Sequence, residues 1–477
     1  MRITKIEVSD FRGFPGPAVY DFEFKSSRNL FIYGENGSGK SSLFRAIQEF
    51  FNRRAGAKPF ADYKNNLDMT LTSGRVTVHF DNGQTQSWVH GGARPLGMSP
   101  ASQTALQSGF LDYRSLLETN FAQRGEEVNL FDIAITRLVP HLEKPTAGGG
   151  SRRIGELWSA VHMPRIRRKR AVDACMHAVS TFNTAFEPVI KPLIEKATEL
   201  LGEFPIPVFI LGASFQPVEY DSSNRKLLNL ELILSVQSGG TQFLNFHNVL
   251  NEARLSAIGL VIYLAGLLIS VPATTADPKL LVLDDVLVGL DMANRVPVLK
   301  ILEQYFTDWQ IILLTHDRVW YEMVQLEMEN QDWRAYELWL AEDGVTPVHR
   351  SRDGGPNFFL DRANKHLADN DDRAAAVYAR AAFEAKVRKY CSDKYLPVPY
   401  NKDPRKVKAE SLWKAATKHA LEVAPNPAEK RMLGSLFRSV YAAKQVVLNP
   451  LSHSITQPIT KPEIQAAILA VSQLVFH

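Results

Sequence analysis

The chain has 477 residues, of which 45% are hydrophobic and 22% are charged, with 28 glycines and 26 prolines. These values are those of globular proteins and exclude a collagen-like fibre, a simple coiled coil and a wholly disordered chain. Two cysteines, Cys175 and Cys391, are too few for a disulfide framework or a four-thiolate metal site. We therefore expect a cytoplasmic protein.

The formal net charge of +4 is unevenly distributed along the chain. Residues 356–477 contain 19 Lys and Arg against 11 Asp and Glu, whereas residues 1–355 contain 36 against 40. A basic C-terminal part is compatible with a nucleic acid or an acidic protein as partner. A solvated basic helical surface explains the same charge balance.

The first predicted elements are two strands, a glycine-rich loop and a helix. Residues 1–8 alternate polar and apolar side chains and predict a strand. Residues 29–33 then predict a buried strand, residues 34–41 a loop and residues 42–51 a helix.

The loop sequence GENGSGKS fits the pattern G-x-x-x-x-G-K-[ST] of phosphate-binding loops. Glycines let backbone N–H groups surround phosphates, the lysine adds positive charge, and the serine hydroxyl is a ligand for Mg²⁺ at the start of a helix. The pattern predicts a nucleoside triphosphate and Mg²⁺ as cofactors. The candidate nucleotide-binding residues are Gly34, Glu35, Asn36, Gly37, Ser38, Gly39, Lys40, Ser41 and Ser42.

Residues 52–243 predict an insertion, or lid, of mixed character within this α/β unit. Its predicted strands are 75–80, 207–210 and 227–236, and its predicted helices are 154–162 and 172–201. A basic cluster in the insertion is either a contact to nucleic-acid phosphates or a solvated helix edge. The cluster consists of Arg165, Arg167, Arg168, Lys169 and Arg170.

Residues 255–271 form an apolar run long enough to raise the question of a membrane span. The run contains two serines and two glycines, stops at Pro272 and is followed by a predicted strand. We therefore expect a buried core helix and no membrane association.

Two further buried strands are predicted at residues 279–285 and 309–317. Asp284 follows the apolar run of the first, where a carboxylate that organises Mg²⁺ is placed, and Asp285 beside it is suited to orient a water. An Asp pair after a strand also occurs as a turn or a helix cap.

Beyond residue 355 the composition changes to alanine-rich helical segments. These are predicted at 358–390, 409–423 and 427–447, with a last helix from residue 461. The predicted fold is thus an α/β head at 1–350 and an all-helical C-terminal domain at 356–477.

The order of four segments along the chain resembles that in the ATPase heads of the ABC class. These segments are residues 246–257, the strand that ends at Asp284, the pair Leu290-Asp291, and His316. The opening IEVSDFRGF and the run LVLDDVLVGLD resemble the SMC, RecF and OLD branch of that class. The resemblance covers residues 1 to 60 and 245 to 320.

This resemblance implies a role for each matching residue. Lys40 and Ser41 would be the Walker A pair, Asp284 the Walker B carboxylate that holds Mg²⁺ with Ser41, and Asp285 the catalytic position. Among the remaining residues, the resemblance makes Asp291 the D-loop, His316 the γ-phosphate sensor, Arg12 a contact to the nucleotide and Asn251 a contact to the nucleotide of a second copy.

The sequence departs from the family pattern at two places. The signature reads LNEAR, without the usual serine and glycines, which predicts a weaker contact to the second copy. Asp285 is one methylene shorter than the glutamate of many relatives, which predicts slow hydrolysis. The Q-loop residue is either Gln107 or Asp112.

The C-terminal domain faintly resembles HEPN ribonucleases. His453 stands in LNPLSH, but Leu448 occupies the position of the motif's arginine. Arg380 and Glu384 could join His453, although pairs at this helical spacing are common on surfaces.

The chain also resembles short SMC-like ATPase subunits of the PARIS and Septu anti-phage systems. This resemblance implies a sensor or scaffold that controls a separate toxic nuclease. The ABC-class resemblance implies a homo-oligomer that is a dimer or a higher multiple of dimers. The alternatives are a RecF-like DNA-binding ATPase in repair and an ATP-gated RNase that uses its own C-terminal domain.

Overall fold

The computed structural model divides the chain into two compact units, Met1–Ser351 and Arg352–His477. The structure describes residues 2–25, 28–52, 57–68, 70–95, 107–118, 128–145, 150–164, 168–271, 279–327, 332–351, 356–399, 408–452 and 460–476.

The first unit contains the strands. They are β1 (Ile3–Ser9), β2 (Tyr20–Glu23), β3 (Asn29–Gly34), β4 (Arg75–Phe80), β5 (Thr85–Val89), β6 (Ser108–Asp112), β7 (Glu143–Pro145), β8 (Ser151–Arg153), β9 (Val208–Phe215), β10 (Glu219–Asp221), β11 (Lys226–Leu228), β12 (Leu232–Ser238), β13 (Thr241–Phe243), β14 (Leu280–Asp284), β15 (Gln310–Thr315), β16 (Trp333–Leu340) and β17 (Pro347–Ser351).

The α-helices occur in both units. They are α1 (Lys40–Phe50), α2 (Tyr113–Glu118), α3 (Phe131–Ile133), α4 (Ile154–Ser159), α5 (Lys169–Leu201), α6 (Glu252–Ser270), α7 (Met292–Tyr305), α8 (Arg318–Glu327), α9 (Pro356–Ala368), α10 (Asp372–Asp393), α11 (Ala409–Glu422), α12 (Pro427–Ala443), α13 (Asn449–Ser452) and α14 (Lys461–Gln473). Short 3-10 turns occur at Phe60–Tyr63 and Phe246–Asn248, and π-helical turns at Ala134–Leu138 and Lys444–Leu448.

A six-stranded sheet in the order β17-β16-β3-β15-β14-β6 forms the centre of the first unit. All neighbouring strands are parallel except the β16–β17 pair, which is antiparallel. The carboxyl ends of parallel strands meet at one edge of a sheet, which is where ligands bind in such folds. Here that edge is formed by the ends of β16, β3, β15, β14 and β6.

A second, antiparallel sheet in the order β2-β1-β4-β5 lies close to the first. Apolar residues of both sheets and of α1 form one buried cluster, which includes Val8, Leu43, Ile47, Val78 and Leu314. The helix that follows the phosphate loop is therefore held from both sides.

The insertion starts later than its predicted boundary at residue 52. Strands β4 and β5 belong to the sheet of β1, and β6 belongs to the central sheet. The predicted single strand 227–236 is also two strands, β11 and β12, separated by residues 229–231, of which Asn229 has φ 60°. A left-handed residue interrupts a strand because it turns the backbone out of the extended conformation.

Among the described residues, one helix, α6, is long and apolar enough to cross a membrane. Most of it is buried inside the first unit, where it packs against α5. Gly266 permits α6 to approach the π-helical turn Ala134–Leu138 closely, since a Cβ there would lie 2.7 Å from the carbonyl oxygen of Leu138.

In its described residues, the second unit consists of helices α9 to α14 and the π-helical turn Lys444–Leu448, which pack around an apolar cluster that includes Phe383, Trp413 and Phe437. The predicted continuous segment 358–390 is wrong, because α9 ends at Ala368 and α10 begins at Asp372. Asn370 has φ 62°, and Asp371 Oδ1 accepts a hydrogen bond from the N–H of Ala374 at 3.0 Å. The left-handed residue ends one helix and the Asp side chain starts the next. The predicted class, an α/β head with an all-helical C-terminal part, is confirmed.

Candidate functional site

The phosphate loop connects β3 to α1 at the carboxyl edge of the central sheet. The Lys40 ammonium donates to the carbonyl oxygens of Gly34 at 2.7 Å and of Glu35 at 3.1 Å. Lys40 is 5% exposed, and burial lowers its pKa while Asp285 and Asp284 oppose the shift. A buried ammonium held on main-chain carbonyls places a positive charge inside the loop.

The glycines of the loop meet specific conformational and steric demands. Gly37 has φ 85° and Gly39 φ 106°, and Gly39 is the residue that precedes α1. A Cβ at Gly34 would lie 2.3 Å from Ser38 Oγ, and one at Gly39 would lie 3.2 Å from the ring of Phe14. The first N–H groups of a helix have no partner within the helix, so those at the start of α1 are suited to bind an anion. Glu35, Asn36 and Gly37 are exposed at the tip of the loop.

Ser42 joins the loop to the segment that contains Arg12. The N–H of Gly13 donates to Ser42 Oγ at 3.1 Å. Arg12 has φ 48°, its N–H donates to the carbonyl oxygen of Tyr63 at 2.7 Å, and its own carbonyl oxygen accepts from Asn65. The Arg12 side chain is exposed beside the loop.

Asp284 ends β14 at the same edge and is 5% exposed. Burial raises its pKa from 3.8 to about 6, which the Ser41 hydroxyl opposes by a hydrogen bond. Its Oδ1 atom has no hydrogen-bond partner among the described residues. A buried carboxylate oxygen without a partner beside a serine hydroxyl is the donor set that suits Mg²⁺, so the residues present fit this ion.

Asp285 connects Lys40 to His316. Its Oδ1 accepts from the backbone N–H and from Nδ1 of His316, both at 2.8 Å, and its Oδ2 lies 3.9 Å from Lys40 Nζ. Asp285 has φ 54°, and its own N–H donates to the carbonyl oxygen of Leu314. A left-handed backbone at a non-glycine residue is costly and occurs where surrounding contacts hold a functional side chain.

The structure separates the two Q-loop candidates. Asp112 ends β6, and β6 pairs with β14 so that Asp112 lies opposite Asp284. Gln107 lies before the start of β6, where its carbonyl oxygen accepts from the N–H of Leu280. Asp112 is therefore at the carboxyl edge with the other site residues, and Gln107 is at the opposite end of the strand.

Asn251 and Asp291 are both helix N-caps. Asn251 Oδ1 accepts from the N–H of Arg254 at 3.1 Å at the start of α6, and Asp291 Oδ1 accepts from the N–H of Asn294 at 3.0 Å at the start of α7. The loop before Asp291 is close to α6, because a Cβ at Gly289 would lie 2.2 Å from the hydroxyl of Ser256. The two caps thus lie on adjoining segments of one copy.

Three further predicted residues lie at the start of α5. Arg168 precedes α5, and Lys169 and Arg170 form its first turn, all three exposed. Arg165 and Arg167 lie outside the described residues, as does His453. In the second unit, Arg380 Nε donates to Glu384 Oε1 at 3.1 Å, as expected for residues one helical turn apart.

Sequence reasoning missed two contacts of the site. Tyr113 donates to Glu252 Oε1 at 3.1 Å and so joins the end of β6 to the first residue of α6. Arg295 in α7 bonds to Asp317, the residue after His316. Neither pair has a local sequence signal, because the partners are 139 and 22 residues apart.

Comparison with known proteins gives partial matches. A family model described as an AAA domain matches residues 5–89, which contain the phosphate loop. A search of curated proteins finds no match.

Three solved structures of SMC heads are similar to the chain. An Smc head bound to the C-winged helix domain of ScpA has 14% identity and TM-score 0.42, covering 74% of this chain and 99% of that one. An Smc head with an extended coiled coil, bound to the C-terminal domain of ScpA derived from Pyrococcus furiosus, has 13% identity and TM-score 0.42, covering 77% and 99%. The SMC head from Thermotoga maritima has 17% identity and TM-score 0.36, covering 74% and 100%.

Proposed function

We propose that the first unit binds ATP with Mg²⁺ and hydrolyses it slowly. One observation carries this proposal: Lys40 lies within a glycine-rich loop 3.9 Å from Asp285, next to a buried Asp284 oxygen that has no partner among the described residues. A positive charge for phosphates and an available carboxylate for a cation thus occur at one sheet edge.

Each residue has a defined task in this proposal. Lys40 and the N–H groups of the loop would hold phosphates, while Ser41 and Asp284 would hold Mg²⁺. A bound Mg²⁺–ATP supplies a terminal phosphoryl group that passes to water. Because Oδ1 of Asp285 accepts two hydrogen bonds from His316, Oδ2 is the atom left to orient that water and take its proton.

Binding and hydrolysis are tested by separate variants. In Lys40→Met we expect ATP binding, measured by calorimetry, to weaken more than about tenfold, because the buried charge in the loop is lost. Lys58→Met removes an exposed lysine and is the matched control. In Asp285→Asn we expect ATP binding to persist while turnover falls by roughly 100-fold. Wild-type affinity in Lys40→Met would disprove the proposal.

We also propose that ATP pairs two copies of the chain. Five apolar side chains more than a third exposed lie on the segments that carry Asn251, Asp291 and His316: Val249, Val288, Met292, Val296 and Val319. Exposed apolar groups around a polar site are typical of interaction surfaces. In a pair, Asn251 and Asp291 of each copy would face the phosphate loop of the other.

Light scattering of the slow variant tests this pairing. Asp285→Asn with ATP and Mg²⁺ should have the mass of two copies, and Lys40→Met should stay at its nucleotide-free mass. A mass that does not respond to ATP in Asp285→Asn would contradict pairing while leaving ATP binding intact.

The biological role we propose is that of a sensor and scaffold subunit in a bacterial anti-phage complex that controls a separate nuclease. The resemblance to short heads of such systems supports it, together with a separate helical unit of basic composition that suits an acidic protein partner. Co-purification of the native complex with a nuclease, and loss of phage resistance in Lys40→Met, are the expected results. Full resistance in Lys40→Met would refute the role.

A RecF-like DNA-binding role has one observation in its favour, the exposed basic start of α5. It predicts DNA binding that weakens steeply with salt and is lost when Arg168, Lys169 and Arg170 are changed to Ala. Salt-independent or absent DNA binding would exclude it.

A further inference from the structure

One ion pair joins two segments that flank the candidate site. Arg295, in the first turn of α7, donates from Nη1 to Asp317 Oδ2 at 2.5 Å and from Nε to the carbonyl oxygen of Leu290 at 2.8 Å. Its side chain is 12% exposed. A single guanidinium therefore holds the residue before Asp291 and the residue after His316.

The Asp317 end of this contact is itself fixed. Asp317 Oδ1 accepts from the N–H of Trp320 at 3.0 Å, and the Asp317 N–H donates to Thr315 Oγ1 at 3.1 Å. Burial opposes ionisation, but the hydrogen bonds from Trp320 and Arg295 keep the pKa of Asp317 below its usual value. The guanidinium also faces the Trp320 ring at 6.0 Å.

Arg295 and the proposed catalytic pair border a common space. Asp285, Arg295, His316 and Asp317 line a cavity of about 30 Å³, which has room for a water molecule. A displacement of Arg295 thus changes the surroundings of His316 directly.

We propose that Arg295 is a positioning residue that couples the Asp291 loop to His316. This inference rests on the proposed ATPase function and goes beyond it, since it names the contacts through which pairing of two copies would change the position of the Asp285 carboxylate. When a second copy contacts Asp291, the neighbouring Leu290 moves, and the planar guanidinium of Arg295 transmits this movement to Asp317. Asp317 is next to His316, whose backbone N–H donates a hydrogen bond to Asp285. A lysine has the charge but lacks the rigid fork needed to hold both partners.

The test compares Arg295→Lys and Arg295→Met with Arg318→Met in the full chain. Arg318 begins α8, is 44% exposed and contacts Glu322 and Glu337 instead, so it matches the loss of charge without the coupling contact. We expect both Arg295 variants to keep wild-type ATP affinity and KM while kcat falls roughly 5- to 30-fold. The control should stay within about twofold of wild type in all three quantities.

Hydrogen exchange without nucleotide is the second measurement. Both Arg295 variants should exchange faster at residues 286–291 and at 316–317 together, and the control should not. Wild-type turnover in Arg295→Lys and Arg295→Met, or faster exchange at 286–291 alone, would overturn the coupling. If the wild-type chain neither binds nor hydrolyses ATP, the proposed function fails instead, and the exchange measurement still decides whether the two segments are coupled.

Discussion

Asp284→Asn should stabilise the nucleotide-free protein while removing the proposed Mg²⁺ ligand. The pKa of Asp284 is raised from 3.8 to about 6, with burial as the largest cause. A rise of this size corresponds to a penalty of about 3 kcal/mol on the ionised carboxylate above pH 7, at about 1.4 kcal/mol for each pH unit. Asp284 also supports the charge of Lys40, so its loss offsets part of the gain. We expect a net gain of about 1 to 2 kcal/mol.

The gain should depend on pH in a defined direction. The folded protein binds more protons than the unfolded chain between the unfolded pKa near 3.8 and the folded pKa near 6. Wild-type stability therefore falls as pH rises through this window, and the penalty is complete above about pH 7. The advantage of Asp284→Asn should be largest at about pH 8 and should shrink as pH is lowered through about 6.

Urea unfolding in EDTA, from about pH 5 to about pH 8, measures this effect. Asp343→Asn is a control of opposite sign, because hydrogen bonds from Thr346 lower the pKa of exposed Asp343. Loss of the Asp343 carboxylate should therefore destabilise the protein most at high pH. Mg²⁺ binding without nucleotide should also weaken in Asp284→Asn. A variant that is less stable than wild type at pH 8, or whose gain does not change with pH, would refute the reasoning.

Two glycine substitutions test packing, and a third substitution tests an ion pair in the second unit. Gly266→Ala should cost about 1 to 3 kcal/mol of unfolding free energy, because the added methyl meets the carbonyl oxygen of Leu138 at 2.7 Å. Gly434→Ala, with open space around it, should be neutral or stabilise α12 by about 0.5 to 1 kcal/mol. Equal effects of the two substitutions in urea unfolding would contradict this difference. Lys444→Met should destabilise the second unit by about 1 to 2 kcal/mol near neutral pH, since Lys444 lies 3.1 Å from Glu410 and helps to hold the pKa of that carboxyl below its usual range against burial. The destabilisation by Lys444→Met should shrink as pH falls through the pKa of Glu410. It should also be smaller when Lys444→Met is made in a chain that already has Glu410→Gln. A destabilisation that does not vary with pH would argue against the ion pair.

Local patterns were sufficient for the elements that carry the site. The loop GENGSGKS between a buried strand and a helix, and the apolar runs that end at Asp284 and before His316, are contiguous in sequence, so their interpretation needs no knowledge of distant residues. Local patterns misled where a few residues change the backbone direction. Asn370 divides a helical segment and Asn229 divides a strand, because a left-handed residue is not encoded by hydrophobic periodicity.

Sequence alone determined that this chain has a glycine-rich loop of the pattern G-x-x-x-x-G-K-[ST], two carboxylates after a buried strand and a histidine after another, since each depends on neighbours in the chain. Only the tertiary structure decided that His316 hydrogen-bonds to Asp285, that Asp112 and not Gln107 lies beside Asp284, and that Arg295 joins two loops. These relations depend on the register of parallel strands and on side chains that meet across many intervening residues, which no local pattern specifies.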